Sequence, residues 1–346
     1  MKDTLDLTTY EPRRILVCQL RQIGDVVLAT PSIRMLRQRY PQAQIHVLTE
    51  KKCASVLENN PHIDHVWAID KIALRNPLKA LAFYARVGRS GYDLVVDFQQ
   101  LPRCRWVLMF SRAPVKLTVE PSWYNRPFYT HWSKPVYGYA ALCKAGVLGP
   151  LGIAWDGMPP EIWLTDKEKD WAKDFITAEG MAPERFVTVD PSHRRITRQW
   201  PARHFAGLIR LMREAHPQLK FLVLYGPGEQ EVAREVADLA GEGVIVPDRM
   251  LSLREMAAVQ ARAALHLGNC SAPRHFAVAV GTPSLIIHGA TGFGWRFPSE
   301  QHVSTTNRLD CFSCNKNHCE TRQCLEECHP EECIAEALRL LTFKMA

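Results

Sequence analysis

The sequence predicts an α/β protein made of two similar parallel-sheet halves. Two observations carry this. Short apolar runs alternate with amphipathic stretches, the pattern of strands joined by crossover helices. The alternation then stops and restarts across a Pro- and Gly-rich stretch, residues 148–160, LGPLGIAWDGMPP, which reads as a linker. With 346 residues, 47% hydrophobic and 23% charged, the chain is long enough for two domains of ordinary size. Ligands in such sheets sit beyond the carboxyl ends of the strands, so the two halves are expected to face one cleft.

In the first half, RILVCQL at 14–20 reads as a buried strand. The loop RQIGD follows, then a helix to about Arg39 with Val26, Val27, Ile33 and Leu36 on its apolar side. Residues 45–48 and 92–97, YDLVVD, are further strands. In the second half, strands are expected at 186–190, 221–225, 264–267 and 284–287, and helices at 203–215 and 229–240. Ser252 and Glu255 in SLRE suit a capping box.

Charge is uneven. The net is +7, yet residues 1–150 hold 21 Lys and Arg against 11 Asp and Glu, and the remainder 22 against 25. A basic first half suits an anionic partner, or is simply a solvated basic face. There is no Lys/Arg block or aromatic interleaving of nucleic-acid type, so no nucleic acid is expected. No apolar run reaches the roughly 18 residues that span a bilayer. The opening MKDTLDLTTY has two acids and no apolar core, so it does not read as a leader, and the cytoplasm is the expected compartment. Of 11 cysteines, six crowd the end: Cys311, Cys314, Cys319, Cys324, Cys328 and Cys333. The spacing of the first four would suit a tetrahedral zinc site, and the alternative is thiols that pack or pair on oxidation.

Four loops carry candidate chemistry. In RQIGDVVLATPS, 21–32, Gly24 allows a tight turn and Asp25 opens a helix. That carboxylate can cap the helix or serve as a general base. There is no GxGxxG here. DPSHRRITRQWPARHF, 190–205, gathers Arg194, Arg195, Arg198 and Arg203 around a turn. They suit a diphosphate, or form a solvated basic loop. Trp200-Pro201 reads as the anchor that opens the next helix. In LYGPGEQE, 224–231, Glu229 or Gln230 is placed to meet a ribose hydroxyl, or to serve the helix dipole. In GNCSAPRH, 268–275, Gly268, Ser271 and Ala272 permit close backbone approach at a helix start, where N–H groups hold phosphates. His275 is there either for the ligand or as a core or capping histidine.

The succession RQIGDVVLATPSIRMLRQRYPQAQIHVLT, YDLVVDFQ, R-Q-W-P and GNCSAPRHFAVAVGTPSLIIHGAT resembles the ADP-heptose:lipopolysaccharide heptosyltransferases, glycosyltransferase family 9, over residues 14–341. The CFSC segment resembles a cysteine-bearing tail found in many members. The resemblance implies a GT-B architecture: two Rossmann-like domains with parallel sheets facing a central cleft. Residues 1–155 would bind acceptor, and 156–330 the nucleotide sugar, with a Cys-rich tail at 311–333. A last helix, 331–346, would return to the first domain.

By the same resemblance Asp25 matches the family's catalytic base, and Gly24 and Arg103 lie on the acceptor side. Arg198 matches a basic residue, usually lysine, that neutralises the departing diphosphate. Ser192, Glu229, Cys270, Ser271, Ala272 and His275 would bind donor. The family's Asp-Ser/Thr-Gly-x-x-His turn matches residues 270–275, where cysteine replaces the aspartate and alanine the glycine. A thiol is a poor hydrogen-bond partner, so donor identity is open at this turn. The implied reaction is inverting transfer from ADP-heptose to an anionic glycolipid. Asp25 deprotonates the acceptor, Arg198 and the 271–273 amides meet the diphosphate, and no cofactor is required. The enzyme would work peripherally at the inner face of the inner membrane. The alternatives are another nucleotide-sugar donor and a non-catalytic nucleotide-binding scaffold.

Overall fold

Runs of aliphatic and β-branched residues form the strands of two separate sheets. A computed structural model describes residues 6–307 and 309–345, so part of the opening stretch MKDTLDLTTY lies outside the described residues. The chain divides into two units, Met1–Trp163 and Leu164–Ala346. The division falls later than the expected 155 because the linker is tied to the first unit. Arg34 pairs with Asp156 at 3.1 Å and with Glu161 at 3.2 Å, and Thr30 Oγ1 accepts the Glu161 N–H at 2.9 Å.

The first unit contains β1 (Arg14–Cys18), β2 (Gln44–Glu50), β3 (His65–Ile69), β4 (Leu94–Asp97), β5 (Val115–Val119) and β6 (His131–Ser133). Their order is β3-β2-β1-β4-β5-β6, and every pairing is parallel. Ile15–Cys18 and all of β4 are buried, as strands covered on both faces must be. The strand order reverses between β1 and β4, so the binding crevice of this sheet lies beyond their carboxyl ends. The helix expected after β1 is two helices, Ile23–Val27 and Thr30–Arg39. Pro31 has no N–H with which to continue the ladder, and Thr30 Oγ1 turns back onto the Val27 carbonyl at 2.7 Å.

The second unit contains β7 (Phe186–Asp190), β8 (Lys220–Val223), β9 (Val244–Ile245), β10 (Leu265–Asn269), β11 (Ser284–Ile287) and β12 (His302–Thr305). Their order is β12-β11-β10-β7-β8-β9, again parallel, and the switch point lies between β7 and β10. The capping box at Ser252 and Glu255 forms as expected. The last helix, Pro330–Met345, packs its apolar stripe into the core of the second unit. Cys333, Ala337, Leu340 and Leu341 are buried in one core with Val187, Phe205 and Leu285. Their spacing makes a single apolar stripe, and that stripe is consumed by the second sheet and helix Ala202–Ala215.

Candidate active site

Beyond the end of β1, Asp25 sits in the first turn of helix Ile23–Val27. Its Oδ2 accepts the Gln22 N–H at 3.3 Å, so it takes part in capping. Its Oδ1 is 3.3 Å from Lys144 Nζ, and the carboxylate side chain keeps 24% of its exposure. One oxygen thus caps while the other is held by a lysine that sequence reasoning missed. Helix Ala140–Gly146 delivers Lys144. Its Nζ also donates to Gln19 Oε1 at 3.0 Å and lies 6.0 Å from the Phe98 ring centre. Burial holds the Lys144 pKa below its ordinary value, and the Asp25 charge opposes that fall.

The loop before Gly24 is braced from β4. Gln99 Oε1 accepts the Leu20 and Arg21 N–H groups at 2.9 and 3.1 Å, and its amide donates to the Arg21 carbonyl. Gln99 is itself set by Asp97 Oδ1, which accepts the Gln99 and Gln100 N–H groups. Asp97 is fully buried, so it is a structural acid; burial raises its pKa. Arg103 pairs at 3.2 Å with Glu50, which also takes Lys71 at 2.8 Å. The first unit therefore brings Gly24, Asp25, Gln99 and Lys144 together at its switch point.

At the second switch point, Asn269 staples two loops. Its Oδ1 accepts the Trp200 N–H at 2.8 Å and its amide reaches the Asp190 and Ser192 carbonyls. Ser271 is the N-cap of helix Ala272–Ala279 but makes no side-chain cap. Its hydroxyl donates instead to Asp190 Oδ2. Asp190 is buried, and this burial raises its carboxyl to about 7, with the nearby Glu229 charge pushing the same way. Neither Asp190 nor Asn269 stood out in the sequence: Asp190 closes an apolar strand, and in the 268–275 turn the small residues Gly268, Ser271 and Ala272 drew the reading instead of Asn269.

The expected 271–273 amide set needs correction. Pro273 has no N–H, and the Ser271 N–H is spent on the Asn269 carbonyl at 2.8 Å. The helix start offers Ala272 and Arg274 instead. Ala272 is an ordinary helical residue, so replacing the family's glycine requires no left-handed backbone.

Cys270 is buried, and its sulfur accepts from Arg274 Nη1 at 3.5 Å. Arg274 is only 1% exposed. Its guanidinium also meets His288 Nε2 at 3.0 Å and Ser304 Oγ at 3.4 Å. Burial, then the Arg274 charge, holds His288 and His266 neutral, each at about 3. Arg274, four residues after Cys270, thus supplies a buried cation beside the thiol.

Arg198 donates to Asn315 Oδ1 at 2.6 Å. Its Nε is buried and makes no hydrogen bond among the described residues. Burial and then Arg195 hold its pKa below the ordinary arginine value, so an anion there is favoured. The same surroundings push His193 down to about 4. Arg203 does not join this group. It pairs with Glu326 of the Cys-rich tail, because helix Ala202–Ala215 carries it away from the turn. Ser192 is buried with its hydroxyl unpartnered among the described residues. Glu229 Oε2 accepts the Gly226 N–H at 2.9 Å, which leaves the second oxygen for a hydroxyl. His275 is buried with its ring 6.1 Å from Trp295.

The Cys-rich tail reaches this loop through Asn315 and through Thr197 Oγ1, which donates to the Lys316 carbonyl at 2.9 Å. Burial, reinforced by neighbouring Cys311, Cys314 and Cys319, pushes the Cys324 thiol up to about 11. Among the described residues, no three His, Cys, Asp or Glu side chains form a group that could hold a metal ion.

Two Rossmann-like parallel sheets, one presenting an acid and the other a cationic turn at a helix start, define the GT-B class of glycosyltransferase. Residues 80–329 match the family model described as glycosyltransferase family 9 (heptosyltransferase), and the chain belongs to that family. Among curated proteins it is similar to lipopolysaccharide heptosyltransferase 3 of Escherichia coli. The two are 26% identical over 292 residues, 79% of this chain and 82% of that protein. Its fold is shared with a glycosyl transferase family 9 structure from Veillonella parvula, with TM-score 0.83, 23% identity and coverage of 98% and 99% of the two chains. It is also shared with E. coli ADP-heptose lipopolysaccharide heptosyltransferase II, with TM-score 0.75, 16% identity and coverage of 96% and 100%. No helix of the described residues is long and apolar enough to cross a membrane.

Proposed function

We propose that this glycosyltransferase moves a heptose, or a related sugar, from an ADP-sugar to an anionic lipopolysaccharide-core acceptor with inversion. Residues 1–163 handle acceptor and residues 164–346 handle donor. The carrying observation is the Asp25–Lys144 pair: a partly exposed carboxylate, held at one oxygen by Lys144 and at the other by the Gln22 N–H, at the switch point of a sheet. Asp25 takes the proton from the acceptor hydroxyl, whose oxygen attacks the anomeric carbon opposite the diphosphate. The bond to the diphosphate oxygen breaks, and the charge left there is met by Arg198 and by the Ala272 and Arg274 N–H groups. Preorganised donors of this kind are often the largest catalytic term. They take the part a divalent cation plays elsewhere. Ser192 and Glu229 are assigned to donor hydroxyls, and Ser271 and His275 to shaping the turn. Arg103 and Gly24 belong to the acceptor side. ADP and heptose enter this reading from the names of the similar proteins, and so does the lipopolysaccharide acceptor. An enzyme with such an acceptor works peripherally at the inner face of the inner membrane.

Asp25→Asn tests the assignment. Transfer is expected to fall about 10²–10⁴-fold, with calorimetric ADP affinity unchanged. Transfer within a few-fold of wild type would remove Asp25 as the base. Titration with ADP, UDP and GDP, then ADP-heptose, decides the donor. Preference for UDP or GDP would keep the transferase and discard the ADP-heptose reading.

A further inference from the structure

The proposed transfer chemistry leaves one edge of the first unit unused. Trp123 is 82% exposed and Tyr137 84%, and Tyr124, Trp132, Trp106 and Met109 are exposed as well. Side chains of this size are usually buried on average. These are gathered rather than scattered. Trp123 and Tyr124 follow β5, Trp132 lies on β6 at the sheet edge, and Tyr137 follows β6. The Trp123 and Tyr124 rings meet edge-on at 5.8 Å. The Arg126 guanidinium lies 5.7 Å from the Trp132 ring centre. Helix Pro102–Phe110, which carries Trp106 and Met109, reaches the same segment through Arg105, 6.0 Å from the Phe128 ring centre.

The charge of this edge is one-sided. Residues 100–139 contain Arg105, Arg112, Arg126 and Lys134, besides Arg103, paired with Glu50, and Lys116, bonded to the Leu108 carbonyl; Glu120, 3.8 Å from Arg126, is their only acid. Trp and Tyr settle at the headgroup level of bilayers, where an apolar ring and a polar edge are both satisfied. Each cation close to an anionic leaflet adds attraction. A partner protein would need a matched apolar and acidic face; an anionic bilayer offers both chemistries along its whole surface.

We propose that this edge docks the first unit on an anionic phospholipid bilayer. Trp123, Tyr124, Trp132 and Tyr137 enter the headgroup boundary, and Arg126 and Lys134 meet lipid phosphates. The inference rests on the reading of the acceptor as a membrane glycolipid and names the surface that reaches it. The chain after Tyr137 runs directly into helix Ala140–Gly146, whose Lys144 holds Asp25. One short helix therefore joins the docking edge to the proposed base.

The test is co-sedimentation of the full chain with vesicles of phosphatidylcholine alone or mixed equally with phosphatidylglycerol. Binding to the mixed vesicles only is expected, with tryptophan fluorescence quenched by brominated lipid. The double variant Trp123→Ser, Tyr137→Ser is expected to bind mixed vesicles at least about tenfold more weakly. It should retain wild-type circular dichroism and wild-type transfer to a delipidated soluble acceptor. Wild type that ignores the mixed vesicles, or a double variant that binds them as well as wild type, would overturn the proposal. So would a double variant equally impaired on soluble acceptor, since the edge would then hold glycan, or a wild-type dimer lost in the variant. Wild type that binds the vesicles but transfers to no lipopolysaccharide-core acceptor would sustain the docking edge and remove the acceptor reading instead.

Discussion

Lys144 is a cation withdrawn from water whose principal anionic partner is Asp25. Burial of an ammonium is costly and is tolerated where a charge and further acceptors meet it. Here those are Asp25 Oδ1 and Gln19 Oε1. The lysine fixes the carboxylate without enclosing it, which is what a base that must meet an incoming hydroxyl requires. Lys144→Met keeps the stem and removes the charge. Its expected effect is a fall in kcat of about 10–100-fold, the scale of a misplaced reacting group, with ADP affinity unchanged. Single-turnover rates beside calorimetric ADP titration check this; an unchanged rate would make the pair structural. Cys270 has a similar logic at the turn after β10. Its thiol cannot balance Arg274 as a carboxylate would, and the guanidinium spreads its hydrogen bonds over Cys270, His288 and Ser304. Sequence reasoning treated the cysteine as a loss of acid and passed over the arginine four residues on. Cys270 lies just before the helix that carries Arg274, and the long guanidinium stem folds back to reach its sulfur.

At the level of elements, the chemistry collects where strands end. Asp190, the last residue of β7, is an acid that burial keeps protonated well above its ordinary range, to about 7. Because the folded pKa is raised above the unfolded value of 3.8, the folded state holds a proton that the unfolded chain has lost. That contribution to stability is complete below pH 4 and fades as pH rises through about 7. Urea unfolding across this window is expected to show stability declining with pH in wild type. Asp190→Asn is expected to flatten that decline and to be the more stable protein above pH 7. Identical pH slopes would show that Asp190 titrates as an ordinary carboxyl.

The strand that ends in Asp190 was legible in the sequence because VTVD closes a buried apolar run before a loop. So were β1, β2, β4, β8, β10 and β11, which are built mainly on buried aliphatic residues. β5, β6 and β12 carry Lys, His, Trp and Ser, and they sit at or near sheet edges where alternation is relaxed. The candidate site divides the same way. Asp25, Arg198 and the 268–275 turn lie in loops with a local pattern. Lys144, Gln99 and Asn315 act across more than 75 residues of chain, and no local pattern announces such partners. The last helix shows the same limit: its apolar stripe says that it packs, and only the tertiary fold says on what.

On the scale of the whole molecule, the excess positive charge belongs to the unit that carries Asp25. Residues 1–150 hold 21 Lys and Arg against 11 Asp and Glu, and the rest of the chain is slightly acidic. Much of the acidic complement in the first unit is already engaged, as in the pairs Arg34–Asp156, Arg37–Asp64 and Arg103–Glu50. A field of one sign over one domain raises the encounter rate of an oppositely charged ligand, and salt removes the gain. A phosphorylated core oligosaccharide freed of its lipid isolates this effect from membrane docking. Its kcat/KM is expected to fall about tenfold or more between ~0.02 M and ~0.5 M salt, while kcat at saturating acceptor stays level. The direction follows because salt screens approach over a Debye length but acts little on the close contacts around Asp25 and Lys144. Dephosphorylating the same oligosaccharide should lower kcat/KM at low salt and flatten the dependence. A flat profile with the phosphorylated acceptor would mean that the basic surface of this unit meets something other than the acceptor.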